Sequence, residues 1–167
     1  MPSDAYLVRH VDAMLAHACT VAPVVVLDGA RAVGKSTTAA RVAASALHLP
    51  RDLPMLASDP ESVLAAMPRP VLIDEWQLAG TDLLWAVKRI VDADPAPGAF
   101  ILAGSVEPAS YGPTYPLTGR SVRVVMRPMT HIELAGRGGT AMPLEAIVAG
   151  EPPSPDAHAP ALEWDAL

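Results

Sequence analysis

Residues 29–36 of the chain have the sequence GARAVGKS. Its spacing matches the pattern G-x-x-x-x-G-K-[ST] of a Walker A loop, whose backbone N–H groups cradle phosphate oxygens. Four apolar residues, 24–27, precede the motif, and a helix-compatible run, 37–47, follows it. This pattern of strand, loop and helix is the context that the motif requires. We therefore predict a nucleotide-binding loop at this point of the chain.

Each residue of the loop has an expected role. Lys35 would reach the β- and γ-phosphate oxygens, and the hydroxyl of Ser36 would complete the coordination of Mg²⁺. The predicted nucleotide-binding set is the loop with the residue that follows it: Gly29, Ala30, Arg31, Ala32, Val33, Gly34, Lys35, Ser36 and Thr37. The predicted ligands are therefore a nucleotide and Mg²⁺.

A second motif, VLIDE at residues 71–75, places two acids after a short apolar strand. Open α/β sheets bind their ligands at the carboxyl ends of the strands. Asp74 would therefore belong to the Mg²⁺ shell as the Walker B carboxylate, and Glu75 would polarise the water that attacks the γ-phosphate. The chain has no asparagine, so it cannot supply the Asn-Lys-x-Asp segment with which GTPases read guanine. The acid pair instead favours an ATPase, in which a strand at residues 100–103 lies between the two motif strands and Ser105 faces the γ-phosphate.

Strand and helix patterns alternate along the chain with short connections. Such alternation predicts a three-layer α/β P-loop NTPase with a central parallel sheet of about five strands. We expect an amphipathic helix before the first strand, an N-cap at Asp59 followed by Pro60, and a capping box at Thr130 and Glu133. The predicted strands cover residues 24–27, 53–57, 71–73, 100–103 and 122–126, with Pro54 confining the second to an edge.

The bulk composition excludes several classes of protein. A net charge of −6 and a pI near 5.2 argue against nucleic acid as a partner. A single cysteine, Cys19, excludes a disulfide framework, and no apolar run approaches the length of a membrane span. We therefore expect a cytoplasmic protein with no membrane partner.

In order along the chain, several segments resemble one family. The chain is similar to the AAA-type ATPases of bacteria and archaea that join an N-terminal ATPase core to a C-terminal domain of uncertain role. The matching segments are Arg9 in the leading helix, residues 29–37, DEWQ at 74–77, ILAGS at 101–105, LTGR at 117–120, and RPMT at 127–130 with Glu133 and Leu134. Ala30 and Ala32 stand where these proteins usually carry Pro and Gln, and alanine fits there.

The resemblance implies ATP binding and Mg²⁺-dependent hydrolysis on an AAA-type core. By the same resemblance, Gln77 would place the water or sense the γ-phosphate, and Arg120 would be the arginine finger, in its own chain or across a subunit interface. The predicted catalytic residues are Glu75, Lys35, Gln77, Ser105 and Arg120. Expected partners beyond ATP are further copies of the chain or a separate C-terminal-type domain.

The resemblance ends near residue 135. We expect an ATPase core over residues 1–135 and a Gly/Pro-rich linker or tail over 136–167, with the C-terminal domain of the family missing. The expected activity is an ATPase that is slow in isolation. The alternative is a nucleotide-binding remnant or interaction module, from a truncated or split protein, that does not turn ATP over.

Overall fold

The structure is a computed structural model that describes residues 6–105 and 115–137. The chain divides into two compact units. The larger unit, Val11–Pro128, contains the sheet and its helices, and the smaller unit consists of Met1–His10 and Met129–Leu167. The predicted linker over residues 136–167 lies almost wholly outside the described residues.

The larger unit is built on a five-stranded sheet whose described strand pairs are all parallel. In chain order the strands are β1 (Val24–Gly29), β2 (Ser45–His48), β3 (Val71–Asp74), β4 (Phe100–Gly104) and β5 (Ser121–Met126). They lie side by side in the order β2-β3-β4-β1-β5. Strand β4 thus separates the strand that enters the phosphate loop from the strand that carries the acid pair, as predicted. The three-layer α/β fold is confirmed.

Helices cover both faces of this sheet. They are α1 (His10–Val21), α2 (Lys35–Ala40), α3 (Leu53–Leu56), α4 (Pro60–Ala65), a 3₁₀ helix (Trp76–Ala79) and α5 (Gly80–Ala93). Side chains alternate between the two faces of a strand. Accordingly, Leu72 of β3 packs with α1 and α2, whereas Ile73 packs with α3, α4 and α5. The three central strands β1, β3 and β4 are buried almost throughout, because helices cover both of their faces.

The region between the phosphate loop and α4 differs from the prediction. Helix α2 ends at Ala40 instead of continuing to residue 47, and residues Ser45–His48 form the edge strand β2. Pairing with β3 buries Leu47 in the core, and this tertiary contact overrides the helical propensity of the segment. The predicted edge strand at 53–57 is wrong, since Leu53–Leu56 is a helix whose first turn contains Pro54. Proline suits that position because its fixed φ is already helical.

The other helix-start predictions are confirmed. The Asp59 carboxylate accepts a hydrogen bond from the Ser62 N–H at 3.1 Å and caps α4. In the smaller unit, Glu133 Oε2 accepts from the Thr130 N–H at 2.7 Å, and the Glu133 N–H donates to Thr130 Oγ1 at 3.3 Å. These reciprocal bonds are those of a capping box.

Arg9 lies one residue before α1 rather than within it, and forms a buried ion pair in the smaller unit. Its Nε donates to Glu133 Oε1 at 3.1 Å, and the His10 N–H donates to the same oxygen at 2.8 Å. Burial by itself raises the pKa of Glu133. The hydrogen bonds from Thr130, His10 and Arg9 outweigh this effect and lower the pKa to about 2.

Among the described helices, none is long and apolar enough to cross a membrane.

Candidate nucleotide-binding site

The phosphate loop starts where β1 ends. A Cβ on Gly29 would lie 2.4 Å from the backbone oxygen of Met126, so a side chain there would collide with the end of β5. Further along the loop, Ala32 and Gly34 both adopt left-handed backbone angles, with φ of 60° and 98°. Alternation of left- and right-handed residues turns successive N–H groups toward one side and makes a concavity that suits anions. Ala32 holds this conformation at the energetic cost that a Cβ imposes.

Lys35 is the first residue of α2, directly after this loop, and is 6% exposed. Its Nζ donates hydrogen bonds to the carbonyl oxygens of Gly29 and Ala30, at 2.9 and 2.8 Å. The ammonium group is thus held against the beginning of the loop, where an anionic ligand can exchange for these carbonyl partners. Around it, Ser36 is half-buried, whereas Ala30 and Arg31 are exposed.

Asp74 ends β3 on the same sheet face as Leu72, which is the face that α2 covers. The residue is 9% exposed. Its Oδ1 is buried without a hydrogen-bond partner among the described residues, and its Oδ2 lies 3.4 Å from His48 Nδ1. A buried carboxylate oxygen is costly unless something binds it. The donor set therefore fits a cation such as Mg²⁺, which proteins hold through one or two carboxylates together with phosphate oxygens and water.

Glu75 and Gln77 follow directly after this strand. Glu75 has a φ of 55°, a left-handed angle that is rare for a residue with a side chain, and its Oε2 accepts a hydrogen bond from Gln77 Nε2. Gln77 Oε1 is buried without a hydrogen-bond partner in the described part of the chain. A Cβ on Gly104 would lie 2.5 Å from this oxygen, so the 3₁₀ helix is pressed against the end of β4, and exposed Ser105 comes next. The structure therefore brings Glu75, Gln77 and Ser105 to one end of the sheet.

Arg120 lies elsewhere. It precedes β5, and its carbonyl accepts from the N–H of Val24, the first residue of β1. The phosphate loop begins at the other end of β1, about 17 Å away, since five steps of about 3.3 Å separate Val24 from Gly29. The Arg120 guanidinium pairs with Asp92 of α5, and Asp92 also pairs with Lys88. Within one copy of the chain, Arg120 is therefore not part of the phosphate site.

His48 joins the site although the sequence analysis missed it. Its segment was assigned to a helix and a connection, so no pattern placed it beside Asp74. The signal was present in Leu49 and Pro50, because the residue before a proline favours an extended backbone and ends helices.

A comparison with protein-family models identifies the family of the chain. The model of a family described as "AAA domain" matches residues 21–135, which is more than half of the chain. The chain belongs to this AAA domain family. Membership supports the resemblance at the level of an AAA-type P-loop domain, and the narrower bacterial and archaeal family stays a prediction.

Similarity to individual known proteins is weak. No curated protein matches the chain significantly. Among solved structures, the chain is similar to that of C. elegans PCH-2, with a TM-score of 0.44 and 13% identity. The similarity covers 80% of this chain and 45% of PCH-2, so the AAA chain spans less than half the length of that protein.

Proposed function

We propose that this AAA domain binds ATP with Mg²⁺ in the phosphate loop and hydrolyses it. The observation that carries the proposal is the Asp74 carboxylate, which has a buried oxygen without a hydrogen-bond partner among the described residues, on the sheet face that α2 covers. Together with Ser36, Asp74 would hold Mg²⁺. The bound Mg²⁺ would neutralise charge on the phosphate oxygens.

The chain's own residues would supply the rest of the chemistry. Lys35 would bind the β- and γ-phosphate oxygens through the ammonium group now held by Gly29 and Ala30. Glu75 would accept a proton from the attacking water, and Gln77, whose amide contacts the Glu75 carboxylate, would orient that water. Ser105, at the end of the strand between the two motifs, would donate a hydrogen bond to the γ-phosphate.

Arg120 requires a different arrangement. Because it lies at the opposite end of β1 from the phosphate loop, we propose that it acts on nucleotide bound by another copy of the chain. The proposal therefore includes a homo-oligomer in which each active site is completed by its neighbour.

Localisation to the cytoplasm stays a prediction from the sequence.

The test is ATP binding and phosphate release by the full chain with Mg²⁺, alongside the variants Glu75→Gln and Glu61→Gln. Glu61 lies on α4 and pairs with Arg89, so it controls for loss of a carboxylate elsewhere. We expect turnover in the wild type and in Glu61→Gln, and binding without turnover in Glu75→Gln. Binding without turnover in all three would favour the alternative, a nucleotide-binding module that does not hydrolyse. No binding would refute both functions.

A further inference from the structure

His48 and Asp74 occupy paired positions on neighbouring parallel strands. His48 ends β2, Asp74 ends β3, and their Cα atoms are partners in the sheet register. Residues paired in this way point to the same face of the sheet. Their side chains meet there, with His48 Nδ1 at 3.4 Å from Asp74 Oδ2.

The direction of this hydrogen bond follows from the chemistry of the two groups. An ionised carboxylate can only accept hydrogen bonds, so the ring nitrogen that faces it must carry the proton. His48 therefore donates through Nδ1–H. The bond engages Oδ2 and leaves Oδ1 as the Asp74 oxygen without a partner among the described residues.

The backbone of His48 is fixed by the turn that follows β2. Its N–H donates to Asp52 Oδ2 at 2.8 Å, and its carbonyl accepts from the Asp52 N–H at 3.1 Å. Arg51 donates two hydrogen bonds of 2.8 Å to the Asp52 carboxylate and, with the His48 N–H, holds the pKa of Asp52 well below its usual value. The Asp52 acceptor thus stays ionised, and hydrogen bonds at both the N–H and the carbonyl hold the backbone of His48.

We propose that His48 is a positioning residue for the metal: its Nδ1–H holds Asp74 Oδ2 so that Oδ1 is presented to the Mg²⁺ that accompanies the nucleotide. This inference rests on the proposed function and adds a residue to its metal site. Ligating carboxylates are commonly oriented by a second hydrogen bond, and loss of such a partner typically lowers metal affinity about 10- to 100-fold. The His48 side chain is 43% exposed, so its removal takes little apolar surface out of the core.

The experiment separates metal affinity from nucleotide affinity in the full chain. Binding of a fluorescent ADP analogue is measured first in EDTA, and Mn²⁺ affinity of the ADP-loaded protein is then measured by electron paramagnetic resonance. The variants are His48→Ala, His48→Asn, whose side-chain amide restores an N–H donor, and His17→Ala. His17 is exposed on α1 and serves as the control for loss of a histidine.

We expect Mn²⁺ affinity to fall about tenfold in His48→Ala, to recover in large part in His48→Asn, and to stay unchanged in His17→Ala. Nucleotide binding in EDTA should be equal in all of them. Unchanged Mn²⁺ affinity in His48→Ala would overturn the inference while leaving the proposed function intact. An equal loss of nucleotide binding in EDTA would also overturn it, because the effect would then be structural. Failure of the wild type to bind nucleotide or metal would overturn the proposed function and the inference together.

Discussion

The ammonium group of Lys35 donates to the carbonyl oxygen of Gly29 at 2.9 Å, so the lysine that ends the phosphate loop is tied to the glycine that begins it. A second bond, to the carbonyl of Ala30 at 2.8 Å, adds to this closure. The two carbonyl oxygens therefore hold the ammonium group at the beginning of the loop, and a phosphate would replace them as the acceptors of its hydrogen bonds.

The first prediction is that Lys35→Ala weakens ATP binding by about 100-fold, since hydrogen bonds to a charged group contribute about 1.5–3 kcal/mol each. Isothermal titration calorimetry with ATP and Mg²⁺ measures the loss. The matched control is Lys88→Ala, which removes the chain's other lysine from a surface pair with Asp92. Unchanged affinity in Lys35→Ala would contradict the assignment of the loop.

The second prediction concerns Glu75. Replacing it by Gln removes the proton acceptor but keeps the size of the side chain, so turnover should fall about 10²- to 10⁴-fold while the Kd for ATP changes little. Single-turnover phosphate release and equilibrium binding measure the two quantities. If Glu75→Gln hydrolyses ATP as fast as the wild type, Glu75 is not the base.

The third prediction follows from the distance between Arg120 and the loop. In Arg120→Ala, ATP binding should be retained and turnover lost, because the arginine would serve a neighbouring copy. Mixing Arg120→Ala with Glu75→Gln should then restore part of the turnover, since a Glu75→Gln copy can donate its arginine to an Arg120→Ala site. Phosphate release is measured for each variant alone and for the mixture. Full activity in Arg120→Ala would remove Arg120 from the mechanism, and lost activity without recovery on mixing would contradict its action on a neighbouring copy.

The fourth prediction concerns the buried pair of Arg9 and Glu133. The pKa of Glu133 is about 2 in the folded chain, below its ordinary value of 4.5. The stabilisation that it provides is therefore complete above pH 4.5 and is lost as the pH falls from 4.5 toward 2. Urea denaturation measures the free energy of unfolding at pH 6 and at pH 3. The difference between the two values should be smaller in Glu133→Gln than in the wild type.

Removing the carboxylate altogether should also be costly at neutral pH. Both side chains of the pair are nearly inaccessible, and loss of one partner leaves the other charge buried. Glu133→Ala should therefore lower the free energy of unfolding by about 3–5 kcal/mol. As a comparison, Glu61→Ala removes a carboxylate from the exposed pair with Arg89 and should change stability far less. Equal losses of stability in the two variants would contradict the stabilising role of the buried Arg9–Glu133 pair.

The fifth prediction tests the packing of the 3₁₀ helix. In Gly104→Ala, the new Cβ would lie 2.5 Å from Gln77 Oε1 and 2.8 Å from the indole nitrogen of Trp76, a fully buried residue. The Gln77 and Trp76 side chains of this helix must shift, at a cost of about 1–3 kcal/mol, and the shift should carry Gln77 out of position. The midpoint temperature of thermal unfolding and the turnover rate should both fall, and turnover should fall more than the affinity for ATP. Wild-type turnover would show that the helix position is not critical.

Local patterns were sufficient where short-range physics decides the structure. The loop motif, the buried strand that ends on Asp74, and the caps at Asp59 and Thr130 were all read from neighbouring residues, and the structure has each of them. Such features depend on spacing, on hydrogen bonds within a few residues and on runs of apolar side chains. The order of the strands on either side of β4 also followed, because it is a property of the class that the acid pair indicated.

The segment from residue 37 to residue 57 was decided by tertiary contacts. Its alanines favour a helix, yet Ser45–His48 becomes the edge strand because β3 offers backbone partners and the core accepts Leu47. That one change of element carries His48 to the side of Asp74, a contact that no local pattern contains. The placement of Arg120 is similar, since only the register of β5 against β1 puts it at the end of the sheet away from the loop.

Neighbouring residues are enough to predict the phosphate loop, the acid pair and the parallel α/β sheet, because these features depend on local spacing and on short apolar runs. Only the folded chain brings distant side chains together: His48 with Asp74, Arg9 with Glu133, and Gln77 with the end of β4. These pairs arise from strand register and from the burial of helices against the sheet. Both are set by the free energy of the whole fold, to which each local segment contributes only a part.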